Sequence, residues 1–283
     1  MLINPTKAKR NSWEMFFVGL FYASLSILLV NWIFAQDAVL SKYSGILVVT
    51  FTVMFSMPFM YYIIKLEEKK DIQMEGFLKI LREHSKAILA LMWLFIGFVV
   101  AFSFWYIVLS SGTQSFRAQI ETYCMINRPA NFNECIEQYG VKAAGKVTAF
   151  MTAGERLVAI FANNIYVLIF TLVFSLIFGA GAIFVLAWNA SVIAAAIGIF
   201  SKSSLSALPL GLARYMIHGV PEIGAYFVAA LAGGIVSVAV IRHDIKTEKF
   251  WSILQDSLNL IIIAVVILFI AALIEVFITP ILF

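Results

Sequence analysis

Long apolar runs without a charged residue limit the fold of this chain more than any other feature. An ionised side chain at the centre of a bilayer costs at least about 2.5 kcal/mol. Only a helix or a closed barrel satisfies the backbone polar groups at that depth. Each run therefore predicts membrane-spanning helix. The runs are Met15–Gln36, Tyr43–Ile64, Ala87–Phe116, Leu157–Ser201, Ile223–Ile241 and Ser257–Ile274.

The composition excludes a soluble globular protein. The chain is 62% apolar or aromatic and 13% charged, whereas soluble proteins are roughly 45–50% apolar and about 25% charged. Most of the apolar surface must therefore face lipid or other helices. We predict an all-α polytopic membrane protein with about seven transmembrane segments, one of them short or broken, and with interfacial amphipathic helices.

The run Leu157–Ser201 is 45 residues long, which holds two crossings of about 20 residues only tightly. We expect a full fourth span and a short fifth span over Asn189–Phe200, which makes only about 18 Å of helix. A re-entrant segment is the alternative, and it would reverse the helix that follows Pro221. The charge distribution favours the crossing.

Lys and Arg residues predict the orientation. Twelve of the 20 fall on one side of the membrane if seven segments cross, and by the positive-inside rule that side is the cytoplasm. We therefore expect a multi-pass protein of the cell membrane with a cytoplasmic amino terminus and an extracytoplasmic carboxyl terminus. The twelve are Lys7, Lys9, Arg10, Lys65, Lys69, Lys70, Lys79, Arg82, Lys86, Arg242, Lys246 and Lys249.

Two regions follow from this topology. Residues 1–86 form a transmembrane hairpin with a cytoplasmic segment, and residues 87–283 form a membrane core with an extracytoplasmic loop at 110–161. An amphipathic helix over 78–88 is expected to lie at the inner interface and run into the third span. A second, over 141–162, fits either the outer leaflet or the surface of the protein itself.

Both cysteines lie in the extracytoplasmic loop. Cys124 and Cys135 are 11 residues apart, and a paired count in an exported loop favours a disulfide. Two reduced thiols are the alternative. Because no third ligand is nearby, we predict no metal site.

Small residues recur at every fourth position in three rows, which allows helix backbones to approach closely in lipid. Packing within one chain and the face of a dimer are both compatible with such rows. The rows are Ala190, Ala194 and Gly198; Ala225, Ala229, Gly233 and Ser237; and Ser175 and Gly179.

Polar residues cluster in the same region. Asn163 and Asn164 are expected to open the fourth span, Asn189 to end it, and His218 and Glu222 to flank the start of the sixth. Helix capping and the helix dipole explain each of them singly. Together they are also typical of broken helices that line a cavity.

The spacing of His218 and Glu222 raises the possibility of metal binding or acid–base chemistry. We expect Pro221 to prevent one continuous helix through both residues, and two ligands do not complete a zinc site. The sequence contains no H-E-x-x-H or G-x-S-x-G motif. We therefore predict no catalytic residues, no cofactor and no enzymatic activity. Glu275 is the remaining intramembrane acid, close to either the outer interface or a partner in the bundle.

The order of these residues resembles the Stage II sporulation protein M family over about residues 87 to 283. The H-G-x-x-E element, from His218 through Gly219 to Glu222, is the most specific part, although Ile217 stands where that family often has Pro. The remaining matching residues are Asn163, Asn164, Gly179, Gly181, Asn189, Gly198, Ala225, Gly233 and Gly234. The resemblance implies a membrane core without known catalytic activity that works through partners, since bacterial members act as scaffolds that hold cell-wall hydrolases during engulfment of the forespore.

Two functions of different classes follow. The first is a non-enzymatic scaffold in the lipid bilayer, a homo-oligomer such as a dimer, with membrane or extracytoplasmic protein partners and no nucleic acid. The second is a transporter or permease component for a lipid or small solute. Because the chain has no ATP-binding P-loop, any ATPase would be a separate subunit. An intramembrane hydrolase would require a metal at His218.

Overall fold

A computed structural model describes the chain in ten stretches. All regular structure in these stretches is helical, and seven helices are long and apolar enough to cross a membrane. The predicted fold class is therefore confirmed. The described residues are 11–34, 36–37, 39–68, 77–109, 112–127, 132–139, 152–178, 182–201, 204–241 and 248–283.

Nine helices carry the fold. They are α1 (Glu14–Phe34), α2 (Ser44–Glu68), α3 (Phe77–Val108), α4 (Arg117–Asn127), α5 (Phe132–Gln138), α6 (Ala153–Phe178), α7 (Ala182–Phe200), α8 (Leu208–Ile241) and α9 (Glu248–Leu273) among the described residues. One-turn helices cover Leu40–Tyr43, Gly112–Ser115 and Leu205–Ala207, and α9 continues through a π turn, Ile274–Ile278, into Thr279–Leu282. Seven of these nine helices are spans, and the other two are α4 and α5.

The fourth span begins earlier than the charge-free run indicates, because a capping box fixes its start. The Thr152 hydroxyl accepts from the Glu155 backbone N–H at 3.3 Å, and the Glu155 carboxylate accepts from the Thr152 N–H at 2.7 Å. This reciprocal pair satisfies two donors that a helix start leaves open. Asn163 and Asn164 therefore lie inside α6, and the prediction that they open the span is wrong. Residues 153–162 of the predicted amphipathic helix are helical, but they form the start of α6 and not a separate helix, while 141–151 lie outside the described residues.

The fifth span is the shortest of the seven, at 18 residues, and it is a single helix. Its start at Ala182 lies seven residues before the predicted start at Asn189. The division of the long run at Asn189 is therefore wrong, since α6 ends at Phe178 and Asn189 lies inside α7. Gly179 and Gly181 fall between these helices, outside the described residues.

The sixth span runs without interruption through Pro221. His218 and Glu222 therefore lie in the interior of α8, not at a helix start, and the expected break is wrong. Pro221 cannot donate to the carbonyl of Ile217, one turn earlier. Neighbouring helices and local adjustment compensate for that loss in membrane helices, where ending a helix exposes still more unsatisfied groups to hydrocarbon.

The amino-terminal hairpin packs on the third span by backbone contact. A Cβ added to Gly97 would lie 2.2 Å from the Phe16 carbonyl oxygen, and one added to Gly19 would lie 2.2 Å from the Leu94 carbonyl oxygen. Only glycine at both positions permits this approach. The backbone of α3 is continuous from Phe77, so the predicted helix over 78–88 does run into the third span.

Helices α4 and α5 form a small cap on one end of the bundle, and the predicted disulfide between Cys124 and Cys135 joins them. Gln119 of α4 is fully buried and donates to the Gly45 carbonyl oxygen at 3.0 Å and the Ser191 hydroxyl at 3.1 Å. The cap is therefore anchored to α2 and α7. We call this end of the bundle the cap end.

Replacing Gly97 with Ala should destabilise the protein by about 1–3 kcal/mol, because the added methyl group forces α1 and α3 apart. Thermal unfolding in detergent measures the effect. Gly224→Ala on α8 is the matched control, since its Cβ meets nothing within 4 Å and Ala favours a helix by up to about 1 kcal/mol. Equal unfolding temperatures for the two variants would contradict the close contact.

Candidate functional site

Three polar side chains follow one face of α8 at the cap-end half of the bundle. His218, Glu222 and Tyr226 are four residues apart, which places them above one another on the helix. The Tyr226 hydroxyl donates to Glu222 Oε1 at 2.9 Å. Together with polar groups of α6 and of the α9 extension they form what we call the polar seam: Arg156, Asn164, His218, Glu222, Tyr226, Glu275 and Thr279.

The π turn after α9 brings Glu275 and Thr279 to the polar seam. The Thr279 hydroxyl donates to the Ile274 carbonyl oxygen at 3.2 Å and lies 3.3 Å from His218 Nδ1. A hydroxyl has one proton, so His218 Nδ1 is the donor to Thr279 in the tautomer that leaves the Thr279 proton on the Ile274 carbonyl oxygen. A π turn adds a residue to the helical repeat and is common at functional sites.

Helix α6 contributes a buried amide. Asn164 is 4% exposed and lies beside the Glu222 carboxylate. Its Oδ1 accepts from Asn163 Nδ2 at 3.5 Å. The Glu222 carboxylate is the hydrogen-bond neighbour of the Asn164 amide, although Nδ2 falls outside strict distance and angle limits for that bond. Buried side-chain donors almost always have partners, and the Glu222 carboxylate is the acceptor that the site offers to this amide.

The polar seam holds two acids, and two arginines of the described residues, Arg156 and Arg214, act on it electrostatically. Glu222 and Glu275 lie near enough for their charges to repel each other. Arg156, exposed at the start of α6, interacts electrostatically with Glu275 and His218. Eight residues of helix, about 12 Å, separate Arg156 from Asn164. The Glu222 carboxylate, beside Asn164, therefore lies about two turns of helix inside the arginine.

The cap touches this site through an adjacent residue of α8. Tyr215 is hydrogen-bonded to Tyr123 of the cap, and its ring centroid lies 6.3 Å from that of His218. Arg214 donates to the main-chain oxygen of Phe283 at 3.2 Å and lies over the Phe200 ring at 5.0 Å. The site therefore connects α6, α8 and α9 with the cap.

The structure brings together only part of the predicted polar cluster. Asn164, His218 and Glu222 meet in the polar seam, with Asn163 beside them. Asn189 lies on α7 and donates to the Val185 carbonyl oxygen of its own helix at 2.8 Å. Gly219 is buried on α8, where an added Cβ would make only ordinary contacts with Met216 and Ile193.

Four residues of the polar seam were not among the predicted site residues. Tyr226 could have been found from its spacing of four after Glu222. For Glu275 the sequence left two places open, the outer interface or a partner in the bundle, and the structure places it in the polar seam. Arg156 could have been placed in the first turn of α6 from the T-x-x-E pattern at Thr152. Thr279 carries no signal in the sequence, since its place depends on the π turn.

The predicted packing residues serve contacts inside one chain. All seven described residues of this set are buried. Five of them are exposed by 4% or less, namely Ala190, Ala194, Ala225, Ala229 and Ser237. Gly198 lies against the Tyr106 ring, and Gly233 lies against Leu172 and Ser175 of α6. The Ser175 hydroxyl donates to the Ala230 carbonyl oxygen across the same contact. These residues bring α6, α7 and α8 together.

Metal coordination has little to build on in the part of the chain that the structure describes. No three His, Cys, Asp or Glu side chains lie close enough there to share a metal ion. The polar seam offers two carboxylates, an amide and hydroxyl groups. Such a set suits hydrogen bonding and the binding of a single charge.

Comparison with known proteins identifies the family. The family described as Stage II sporulation protein M matches residues 87–280 of this chain. The chain belongs to the Stage II sporulation protein M family. Every residue of the polar seam lies within the matched range, whereas α1 and α2 lie outside it. The resemblance predicted from the sequence is thereby confirmed.

One relative is an uncharacterised protein of Methanocaldococcus jannaschii. It is 33% identical over 125 residues, which are 43% of this chain and 70% of the relative. No solved structure matches this chain.

Tyr226→Phe should lower the free energy of unfolding by about 1–3 kcal/mol, because Glu222 then loses its buried donor. Chemical unfolding of the purified protein measures the change, with Tyr166→Phe as control, since Tyr166 is 73% exposed on α6. In the double variant Tyr226→Phe with Glu222→Gln, the loss in the free energy of unfolding should be smaller than the sum of the two single losses. Strict additivity would contradict an energetic link between the two side chains.

Proposed function

We propose that this membrane protein is a non-enzymatic scaffold that works through protein partners as a homo-oligomer. The anchored cap is the observation that supports this most. A disulfide joins α4 to α5, and buried Gln119 fixes the cap to two spans. A surface held this firmly can present side chains to another protein without a large ordering cost on binding.

The outer face of the cap carries groups suited to that role. Glu134, Glu137 and Gln138 are exposed, as is the large apolar side chain of Met125. Exposed acidic groups and an exposed apolar side chain on one small cap are typical of a protein-binding surface with a polar rim. The partner that fits presents basic side chains around an apolar residue.

The homo-oligomer is supported by an unpartnered span. Only 17% of the α6 window is buried inside the chain, and its exposed side chains include Val158, Tyr166 and Phe170. Lipid or a second copy of the chain covers this face in the membrane. We propose the second copy, and the mass of the protein in a nanodisc tests it.

Quantitative recovery of partners from native membranes tests the scaffold. Glu134→Gln combined with Glu137→Gln should reduce recovery of cap-bound proteins by about tenfold or more, since charged rim groups steer association. Glu248→Gln, at the opposite end of the bundle, is the matched control. Unchanged recovery with the cap variant, together with a strictly monomeric mass, would refute the scaffold.

The orientation is part of the same proposal. The positive-inside rule supports a cytoplasmic amino terminus, with the cap and the carboxyl terminus outside. The disulfide supports this, because disulfides persist in oxidising compartments.

Cysteine labelling tests the orientation. In a background where Cys124 and Cys135 are replaced by Ser, Ser204→Cys should react in intact cells with a reagent that cannot cross membranes. Glu248→Cys should react only after permeabilisation, because seven crossings put these exposed positions on opposite sides. The reverse pattern would overturn the orientation and would place the cap in the cytoplasm.

A transporter or permease component is the second candidate, supported by polar groups at both ends of the contact between α8 and α9. The polar seam lies at the cap end. At the other end Asp256 interacts electrostatically with buried His84, and the Ser257 hydroxyl donates to the Ala232 carbonyl oxygen at 3.3 Å. Intramembrane ionisable groups commonly mark ion or substrate paths. Solute uptake by proteoliposomes separates this function from the scaffold.

A further inference from the structure

We propose that two copies of this chain associate through their α6 helices, with Asn163 and Tyr166 hydrogen-bonded across the contact. The inference rests on the homo-oligomer proposed above and specifies its interface. Two polar side chains carry it, because the fold leaves both exposed at the depth of the hydrocarbon.

Tyr166 lies near the middle of the fourth span. Twelve residues of α6 follow it and thirteen precede it, so at least about 18 Å of helix separates it from either end. Its side chain is 73% exposed, and its hydroxyl has no hydrogen bond within the described part of the chain.

This depth is unusual for a tyrosine that faces lipid. Such tyrosines normally lie at the membrane interfaces, where water reaches the hydroxyl. Tyr61 and Tyr62, exposed on α2, follow the rule, since they lie within seven residues of the helix end at Glu68. A hydroxyl without a partner in hydrocarbon costs free energy. The position of Tyr166 therefore calls for a polar group from outside the chain.

Asn163 is the second exposed polar group, three residues before Tyr166. One N–H of its amide donates to Asn164 Oδ1 at 3.5 Å, and its Oδ1 accepts from no group in the described stretches. Asn31 and Asn189 in other spans instead donate to a carbonyl oxygen of their own helix, at 3.0 and 2.8 Å. Asn163 thus keeps an acceptor and a donor for a second helix, and asparagine side chains do bond between helices in membranes.

Both side chains belong to one exposed stripe of α6. Its members follow one another at intervals of four, three, four and three residues, which is the spacing of a left-handed helix seam. A polar residue within such a seam specifies register and the number of helices. The stripe extends over about 21 Å of helix. It consists of Ala159, Asn163, Tyr166, Phe170 and Val173, all of them exposed.

The other side of α6 is already occupied. Asn164, Leu168 and Ser175 are buried there, and the Ser175 hydroxyl donates to α8. Any further helix must therefore pack on the exposed stripe.

A second copy of the chain is the occupant that this stripe fits. An amide and a phenol hydroxyl each donate and accept, so the two residues complement their own counterparts in a second copy. A twofold contact requires this property, because the same surface serves on both sides. No residue from Leu157 to Val173 is charged, so the two surfaces meet without repulsion.

The membrane fixes the geometry of the pair. Because both copies are inserted in the same orientation, a twofold axis can only lie along the membrane normal. The two α6 helices are then parallel, and Asn163 and Tyr166 of both copies lie at one depth.

Energy transfer between donor-labelled and acceptor-labelled chains in liposomes measures the association. The label is attached at Ser204→Cys, which is selective because both native cysteines are in the disulfide. Dilution with lipid gives the dissociation constant. Asn163→Leu and Tyr166→Phe should each raise it by about tenfold, since each removes symmetric hydrogen bonds between copies.

Thr50→Val is the matched control. Thr50 is exposed on α2, but its hydroxyl donates to the Ile46 carbonyl oxygen of its own helix at 2.9 Å, so association should not change. Unfolding of the monomeric chain in detergent shows that the variants are folded. Tyr166→Phe should leave it unchanged, because the hydroxyl has no partner within the chain.

Oxidative cross-linking locates the contact independently. Ala159→Cys, on the stripe, should join two copies of the chain. Met54→Cys, which is 55% exposed on α2 in the native chain, should not.

Two failures can be told apart. A dimer that the α6 substitutions leave equally stable, or that cross-links through Met54→Cys and not through Ala159→Cys, would overturn this interface and leave the homo-oligomer standing. A chain that stays monomeric at every lipid dilution would remove the interface and the oligomer together. Partner recovery with the cap variant would then decide on the scaffold alone.

Discussion

The need to satisfy backbone hydrogen bonds inside hydrocarbon governs this structure. It keeps α8 helical through Pro221 and keeps the last span continuous through a π turn. Both irregularities would be natural places to end a helix in water, where solvent replaces the lost bonds. Here the Thr279 hydroxyl donates to the Ile274 carbonyl oxygen within the turn. The same hydroxyl faces His218, so the repair of the backbone and the construction of the polar seam use one side chain.

Close backbone contact is the second consequence of the membrane. Lipid tails provide no hydrophobic drive for helix association, so packing and small residues decide it. Gly19 and Gly97 join α1 to α3, and Gly233 joins α8 to α6. Because these contacts lie inside one chain, the small residues explain its fold and give no support to a dimer. An argument for an oligomer must rest on the exposed face of α6.

Most of the fold could be predicted from the sequence. The reason is that the cost of burying a charge in the bilayer depends only on the residues within each apolar run. Seven spans and the disulfide followed from that cost and from the location of the cysteines. Helix ends inside the long run could not be placed in this way, since every residue there is apolar or uncharged. The T-x-x-E capping box at Thr152 marked the true start of α6. The expectation that Pro221 ends a helix holds for helices in water and not for helices in lipid. Because of this error, His218 and Glu222 were predicted at a helix start and not in a helix interior.

The polar seam could be predicted only in part, because its members come from three helices whose rotation the sequence does not specify. His218 and Glu222 were recognisable from their spacing, whereas Arg156 and Thr279 needed the observed geometry. That geometry also sets the cap and the polar seam side by side. The Tyr123 to Tyr215 hydrogen bond joins the cap to the residue next to His218 on the same face of the bundle. Such proximity is not coupling, which requires an element with two arrangements that both sites bias. The π turn is the element to examine, because it adds one residue to the helical repeat. With the extra residue, Glu275 lies in the polar seam. In a regular α-helical register, Glu275 would be turned away from it.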